Sequence, residues 1–298
     1  MLLTAFPEEY DGSITARVYA GIMATMDTAA WRQYLAETFE KKYVIKDTNY
    51  SGFDSVPQWK DGTTLPLDEA EKINDLTMTM LFYGMGFKVT RKHLEYGLSS
   101  IIQGWADSLS MSVGHTYGTI SVAMLDAAFT TTIASLGTKT LCSTTHLTAG
   151  VSTRSNRGAG AALTPANLDV LRQRGANWIN YRGINTPVLL KGPGVKLIVP
   201  TELERTASKI INSTNETGTG NNDINTYKNG ASIVEEVRLT STTAYFLQAP
   251  GHGMTINHGL APRPIRYMED CGNLVHGIEF DCVTGIKRPD GIFGDAGV

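Results

Sequence analysis

The stretch Val195–Ala207, VKLIVPTELERTA, predicts a buried strand that runs directly into a helix. Pro200 suits the start of a helix, and Thr201 and Glu204 have the spacing of a capping box. In α/β enzymes the turn after such a strand usually carries a glycine-rich phosphate loop or a strained nucleophile. Here the turn is only Pro-Thr. We therefore interpret this junction as a rigid structural element without reactive groups.

The composition is that of an ordinary globular protein. The chain has 298 residues, of which 42% are hydrophobic and 18% are charged, so it can bury a sizeable core in one large domain or two smaller ones. The net charge of -3 provides no positive field that would attract nucleic acid. We expect any contact with DNA to be weak and non-specific.

The sequence predicts neither disulfides nor a membrane segment. The three cysteines, Cys142, Cys271 and Cys282, lack the paired spacing of a disulfide framework, which favours free thiols in a reducing compartment. The N-terminus lacks the features of a secretory signal, and no later segment is apolar over transmembrane length. We expect a protein that does not contact membranes.

An amphipathic helix is predicted near the N-terminus. Trp31, Leu35 and Phe39 recur every four positions after Asp27, so that they share one face of a helix. From Leu94 to Ala128 apolar residues again follow a three-or-four spacing without any proline, which predicts one long helix. Four glycines in this segment lower its helix propensity. They are Gly97, Gly104, Gly114 and Gly118.

Between these helices lies a polar segment that cannot bury itself. Residues 47–67 are rich in Asp, Gly, Ser, Thr and Pro, and Phe53, Val56 and Trp59 are isolated among them. Asp61-Gly62 favours a type I′ hairpin turn. The period of two from Leu76 to Tyr83 then predicts a returning strand. We interpret the segment as an arm that extends outward and packs on something else.

The second half predicts a compact α/β unit followed by a terminal strand. Thr164 is the expected cap of a helix that carries Leu168 and Leu171. Residues 233–239 and 243–249 have the pattern of strands. Ile278, Phe280, Cys282, Thr284 and Ile286 alternate with other residues, which predicts a strand with one buried face. We expect the glycine-rich C-terminus to be loose.

Residues with the spacing of a catalytic, cofactor or metal site are not found. The six histidines form no His-Glu-x-x-His pair. Cys271, His276 and Cys282 could in principle converge on a metal ion, but they lack the ligand spacing of a metal site. His252 lies in a glycine-rich turn, where a solvated imidazole is the simpler interpretation. We therefore predict no catalytic residue, no cofactor and no metal.

Several motifs together resemble the Mu-like major head subunits of tailed phages. They cover roughly residues 137–290, and their order and spacing are more specific than any one of them. Cys142 stands where an aromatic residue would be expected in this family. The motifs are Leu141–His146, Ser155-Asn156, the leucine helix after Thr164, Leu197–Glu204 with Ala207, Asn222–Asn225 and Ala244–Leu247.

The resemblance implies a Hong Kong 97-type major capsid fold of the α+β class. Such a fold has an N-terminal arm, an extended hairpin called the E-loop, a peripheral domain with a long spine helix, and an α/β axial domain. We place the arm at 1–45, the E-loop and return strand at 46–90, and the axial domain at 163–253. The peripheral domain then comprises 91–162 and 254–298.

The resemblance further implies self-assembly into pentamers and hexamers that form an icosahedral phage or prophage head around double-stranded DNA. Scaffolding protein, maturation protease and portal are the other expected partners, with assembly in the bacterial cytoplasm and a final location in the virion capsid. Large aromatic residues dominate protein interfaces. We expect inter-subunit contacts at Trp31, Phe53 and Trp59, although Trp31 could equally pack within its own subunit.

Three other functions are compatible with parts of the sequence. An encapsulin-type compartment shell would share the fold, but the Mu-like motifs argue against it. An α/β hydrolase-like enzyme would need a pocket with converging polar groups near His252 or His146. Another virion protein, such as a tail component, would form rings or tubes.

Overall fold

Helices and strands are mixed along the chain, and they group into two units. In the computed structural model the described residues are 6–96, 99–149, 153–215, 224–270 and 272–298. Unit 1 comprises the described residues up to Ile45, Met78–Ser121 and Thr255–Thr284. Unit 2 comprises Lys46–Thr77, Val122–Met254 and Gly285–Val298.

The helices are α1 (Phe6–Asp27), α2 (Trp31–Tyr34), α3 (Arg91–Glu95), α4 (Ser99–Asp126), a short 3-10 helix (Ala134–Leu136), α5 (Pro165–Ala176) and α6 (Thr201–Asn212). The strands are β1 (Ala36–Phe39), β2 (Val44–Tyr50), β3 (Lys72–Thr79), β4 (Leu81–Val89), β5 (Thr132–Ile133), β6 (Lys139–Thr140), β7 (Lys196–Val199), β8 (Ser232–Glu235), β9 (Tyr245–Gln248), β10 (Met254–Met268), β11 (Leu274–Ile286) and β12 (Ile292–Asp295).

The predicted long helix forms over most of its length as α4. It is continuous for 28 residues, which is about 42 Å at 1.5 Å per residue. Packing explains the glycine at position 114, because a Cβ there would overlap the side chain of Thr25 in α1. Ser110 Oγ likewise donates a hydrogen bond to the carbonyl of Val18, at 3.0 Å. Small residues therefore let the two helices approach closely. Gly97 lies outside the described residues.

The N-terminal prediction was wrong in its element type. A helix was predicted over Asp27–Phe39, but α2 ends at Tyr34 and β1 follows it. The reason is tertiary: β1 pairs in parallel with β10, with Phe39 opposite His258. The longer helix α1 was not predicted, although its buried residues recur every four positions. They are Ile14, Val18, Ile22 and Met26.

Unit 1 contains a four-stranded sheet in the order β1-β10-β11-β4. The predicted alternation of β11 is confirmed for Ile278, Phe280, Cys282 and Ile286, which are all buried. It is lost in the second half of the strand, where Asp281 is buried and Thr284 is only half-buried. The single return strand predicted over Leu76–Tyr83 is instead two strands that break at Met80. Because of this break Met80 is buried whereas Phe82 is 69% exposed.

Unit 2 is built around the stretch VKLIV. Its sheet has the order β12-β9-β7-β8, so that β7 is central. Leu197, Ile198 and Val199 are completely buried. Helix α6 begins one residue earlier than the capping box requires: Pro200 is the N-cap and no side chain caps the helix. Glu202 and Glu204 still favour this end electrostatically, because they lie in the first turn.

The core of unit 2 lies between its sheet and the helices α5 and α6. Thr164 caps α5 as predicted, since its side chain accepts a hydrogen bond from the backbone N–H of Asn167 at 3.2 Å. Leu168, Leu171 and Trp178 join the core cluster together with Phe293 of the last strand. The C-terminus was predicted to be loose, but β12 is buried because it pairs with β9.

The two units do not follow the expected domain boundaries. The segment 46–90, expected as one E-loop and return strand, is divided, with 46–77 in unit 2 and 78–90 in unit 1. Residues 122–162 and 285–298 belong to unit 2, whereas we expected them together with 91–121 and 254–284. For the C-terminal segment the cause is the pairing of β12 with β9. For residues 141–156 it is hydrogen bonding of Asn156, whose side-chain amide donates to the carbonyls of Leu141 and Ile292.

Candidate assembly interface

The polar segment predicted as an arm is an irregular excursion from a two-stranded ribbon. Strands β2 and β3 pair with each other, and residues 51–71 between them, here called the excursion, contain neither helix nor strand. The backbone N–H of Ser51 donates to the carbonyl of Glu71 at 2.8 Å. In return the N–H of Glu71 donates to Ser51 Oγ at 2.9 Å. The two ends of the excursion are therefore hydrogen-bonded to each other where it leaves and rejoins the ribbon.

The excursion carries its apolar side chains in solvent. The exposed fractions are 66% for Phe53, 95% for Val56, 57% for Trp59, 59% for Leu65 and 88% for Leu67. Isolated exposed apolar residues are normal on a surface, but a group of them on one irregular segment is typical of a binding surface.

A tight turn shapes the tip of the excursion. The N–H of Thr63 donates to the carbonyl of Lys60 at 3.2 Å, and the indole N–H of Trp59 donates to the carbonyl of Thr63 at 2.9 Å. Gly62 has a φ of 79°, but Asp61 does not have a positive φ. The predicted type I′ turn needs positive φ at both positions, so this geometry fits type II instead.

Arg182 holds the base of the excursion. Its Nη1 lies 2.9 and 2.7 Å from the two carboxylate oxygens of Asp68, and its Nε donates to Ser51 Oγ at 3.1 Å. This arginine holds the pKa of Asp68 below its usual range, with a further contribution from the N–H of Asp54. Sequence reasoning missed Arg182, because more than 100 residues separate it from its partners.

The structure separates the three predicted contact residues. Phe53 and Trp59 lie on the excursion and are exposed. Trp31 is only 1% exposed and stacks on Tyr117 within unit 1, with ring centroids 5.9 Å apart. Trp31 therefore packs within its own unit, which is the arrangement that the sequence left open beside an interface role. Of the three residues, Phe53 and Trp59 are the exposed ones, and their role as contacts stays a prediction.

His146 belongs to a structural network and not to a polar pocket. Its Nε2 lies 2.8 Å from Asn156 Oδ1, which also accepts the N–H of Ser143. Because the Asn156 amide group donates elsewhere, His146 Nε2 carries the proton and donates to this oxygen. Burial lowers the pKa of His146 to about 4. The motif residues Leu141–His146 and Ser155-Asn156 therefore hold loops together.

His252 does not join this network. Its Nδ1 is buried and has no hydrogen-bond partner among the described residues, and burial lowers its pKa to about 4. A general base works best with a pKa near the operating pH. Neither histidine lies within hydrogen-bond reach of a nucleophile in the contacts described, so the pocket expected of a hydrolase-like enzyme is not formed by them.

The described residues contain no cluster of His, Cys, Asp or Glu that could hold a metal ion. Cys142 and Cys282 are buried free thiols, and burial raises the pKa of both, that of Cys282 to about 12. Cys271 lies outside the described residues. Among the described helices, none is long and apolar enough to cross a membrane.

Comparison with known proteins identifies the same fold in viral and bacterial shells. A family model described as "Phage capsid protein" matches residues 74–291, well over half of the chain. The capsid of an empty GTA particle has a TM-score of 0.54 at 11% identity, covering 90% of this chain and 89% of that one. The holo-SrpI encapsulin complex from Synechococcus elongatus PCC 7942 has a TM-score of 0.52 at 11% identity, with coverages of 90% and 87%.

The capsid of Cyanophage P-SCSP1u is similar at a TM-score of 0.50 and 11% identity, covering 89% of this chain and 86% of that one. At such identities the structural likeness establishes the fold alone, and it confirms the Hong Kong 97-type fold that the motifs predicted. The fold alone does not indicate a function, whereas the family match points to phage capsids and not to enzymes. No curated protein matches the sequence.

Proposed function

This chain belongs to the phage capsid protein family, and we propose that it is a major capsid subunit that assembles with its own copies, as pentamers and hexamers, into an icosahedral head around double-stranded DNA. The observation that carries this proposal is the family match over residues 74–291, which includes segments of both units. The protein is a structural component of the shell and not an enzyme. The order of the motifs between 137 and 290 supports a Mu-like relative in particular.

Each part of the fold has a proposed counterpart in the capsid architecture. We assign the ribbon of β2 and β3 with the excursion to the E-loop, and α4 to the spine helix. Unit 1, with α4 and its sheet, fits the peripheral domain, and the sheet around β7 with α5 and α6 fits the axial domain. The segment 1–45 would be the N-terminal arm.

The proposed mechanism of assembly follows from the excursion's unburied residues. Five apolar side chains extend into solvent on a segment that has no core of its own. Such a segment gains stability only by covering another surface, so its ordering and the formation of the lattice become one event. Phe53 and Trp59 are the proposed anchors in a neighbouring subunit, because aromatic residues contribute most to such contacts.

The charge supports a container more than a DNA-binding protein. With a net charge of -3 the chain has no excess of Lys and Arg that would neutralise phosphates and release counterions from DNA. Packaged DNA would therefore touch the shell only weakly and non-specifically. Scaffolding protein, a maturation protease and a portal are the further partners proposed from the Mu-like motifs. Assembly would take place in the bacterial cytoplasm, before the shell becomes part of the virion.

Deletion of the excursion tests this function. Residues 53–69 should be removed, because Ser51 and Glu71 close the ribbon and Thr48 Oγ1 bonds Asp75 within it, at 2.9 Å. We expect a folded subunit with native circular dichroism that forms no stable shells in electron microscopy. A matched control replaces the same residues with a Gly/Ser linker of equal length, which keeps the chain length but lacks the apolar side chains. Shell formation by both variants at wild-type yield would refute the assignment.

A further inference from the structure

We propose that Arg182 is a positioning residue for assembly: from a rigid turn it fixes both sides of the base of the excursion, so that the arm leaves the subunit in one direction before a neighbour binds it. This inference rests on the proposed function of residues 51–71 as the E-loop. It adds a residue that lies outside that segment and is remote from it in sequence.

The turn that carries Arg182 is itself held in place. Ile179 and Asn185 form an antiparallel bridge around it. Asn180 closes the turn from inside, because its N–H donates to the carbonyl of Ile184 and its side-chain oxygen accepts the N–H of Ile184, at 2.8 and 2.9 Å. Gly183 has a φ of 86°, a left-handed conformation that favours glycine. Arg182 is therefore presented by a fixed backbone.

The guanidinium contacts both the outgoing and the returning chain. It binds Ser51 Oγ at the start of the excursion and the carboxylate of Asp68 near its end, and Nη2 also donates to the carbonyl of Glu69. The side chain of Arg182 is only 13% exposed. A planar fork with five N–H donors can make these contacts together, whereas a lysine ammonium acts as a single point charge.

The contacts of Arg182 also balance a local excess of negative charge. Asp54 lies 3.9 Å from Arg182 Nη1, and Glu71 is close enough to act on it electrostatically. Asp54 and Asp68 therefore place two carboxylates beside one guanidinium, and the charge of Glu71 adds to the local negative potential. Without the arginine they would repel one another and favour an open base. Arg182 thus keeps the base of the excursion closed against the mutual repulsion of these carboxylates.

A fixed base matters because assembly requires the arm in one orientation. If only a fraction of subunits holds the binding-competent arrangement, the apparent affinity falls by that fraction. Loss of Arg182 should therefore raise the protein concentration needed for assembly by about 5- to 10-fold, while the fold of unit 2 stays intact. A purely structural role in unit 2 would instead lower thermal stability.

The test uses the full-length chain with Arg182→Gln, Arg182→Lys and Asp68→Asn. Arg172→Gln is the matched control, since Arg172 pairs with Asp169 at 3.0 Å in unit 2 with both side chains about 40% exposed. Hydrogen exchange of the unassembled subunit reports the base directly, because the N–H groups of Asp54 and Glu69 donate to Asp68 at 2.7 and 2.9 Å. Lys60 provides a tryptic site within the excursion.

We expect all three variants to accelerate exchange at residues 51–54 and 68–71, and to require more protein for assembly, with melting temperatures within about 2 °C of wild type. The double variant Arg182→Asp with Asp68→Arg should recover part of the loss. Unchanged exchange, or faster exchange with wild-type assembly, would overturn the role of Arg182. Should Arg182→Gln misfold, Asp68→Asn breaks the same ion pair by changing its more exposed partner. The deletion of residues 53–69 remains an independent test of the arm itself.

Discussion

Truncation of Trp59 to alanine should abolish assembly at ordinary concentrations without affecting the fold. Trp59 is 57% exposed in the isolated subunit, and a large aromatic side chain buries about 200 Å² when covered. About 110 Å² therefore remains for a neighbour to bury. At about 25 cal/mol per Å², this area corresponds to about 3 kcal/mol for each subunit placed in the lattice. Such a loss raises the concentration threshold for assembly by about 100-fold.

The threshold is measured by light scattering over a protein dilution series, with sedimentation to separate shells from free subunits. Gln58→Ala is the neighbouring control and should assemble normally, because it removes a polar exposed side chain. Trp59→Phe separates area from hydrogen bonding, since it keeps most of the apolar surface but loses the bond to Thr63. It should stay within about tenfold of wild type. An unchanged threshold for Trp59→Ala, with normal assembly, would refute the reasoning.

Two further predictions concern the subunit itself. Leu197→Ala removes a completely buried side chain from the central strand of unit 2, and should lower the free energy of unfolding by about 3 kcal/mol in urea titrations; a loss below about 1 kcal/mol would contradict the packing described. His146 has a pKa of about 4 in the fold against an ordinary 6.5. The unfolded chain therefore binds a proton that the native state does not, and stability falls with falling pH below about 6.5. Between pH 7 and 5 this residue should cost about 2 kcal/mol, a difference that His146→Gln should remove and that a pH-independent wild type would disprove.

Local patterns predicted those elements whose stability is decided locally. Apart from Lys196, the run from Val195 to Val199 is apolar, and its successive residues Leu197, Ile198 and Val199 are all buried, as expected of a strand covered on both faces. Pro200 then precedes the first residue of a helix. Thr164 caps its helix because the N-cap contact lies within three residues. The exposed excursion was predictable from composition alone, since residues 47–67 offer too few apolar side chains for a core.

Elements that depend on distant partners escaped the same reasoning. Leu35 and Phe39 have helical spacing, but pairing of β1 with β10 replaces the helix by a strand. The C-terminal strand β12 is short and follows glycine, yet β9 supplies its partner. Arg182 could be recognised only after folding had placed its turn beside Asp68. In each case the deciding contact is with a residue more than 40 positions away in sequence.

The residues of the candidate interface were likewise predictable only in part. Phe53 and Trp59 were identified as isolated aromatic residues in a polar segment, and both are exposed. Trp31 was selected only because large aromatic residues dominate interfaces, although it lies within an apolar period, and it stacks on Tyr117 in a core. An aromatic residue within an apolar period is thus a weaker candidate for an interface than one outside any period.

Cryo-electron microscopy of the purified full-length protein tests the central claim most directly. We predict closed icosahedral shells in which residues 51–71 of each subunit lie on an adjacent subunit, with Phe53 and Trp59 covered. A protein that stays monomeric at every concentration, or shells in which the excursion contacts only its own subunit, would contradict the account.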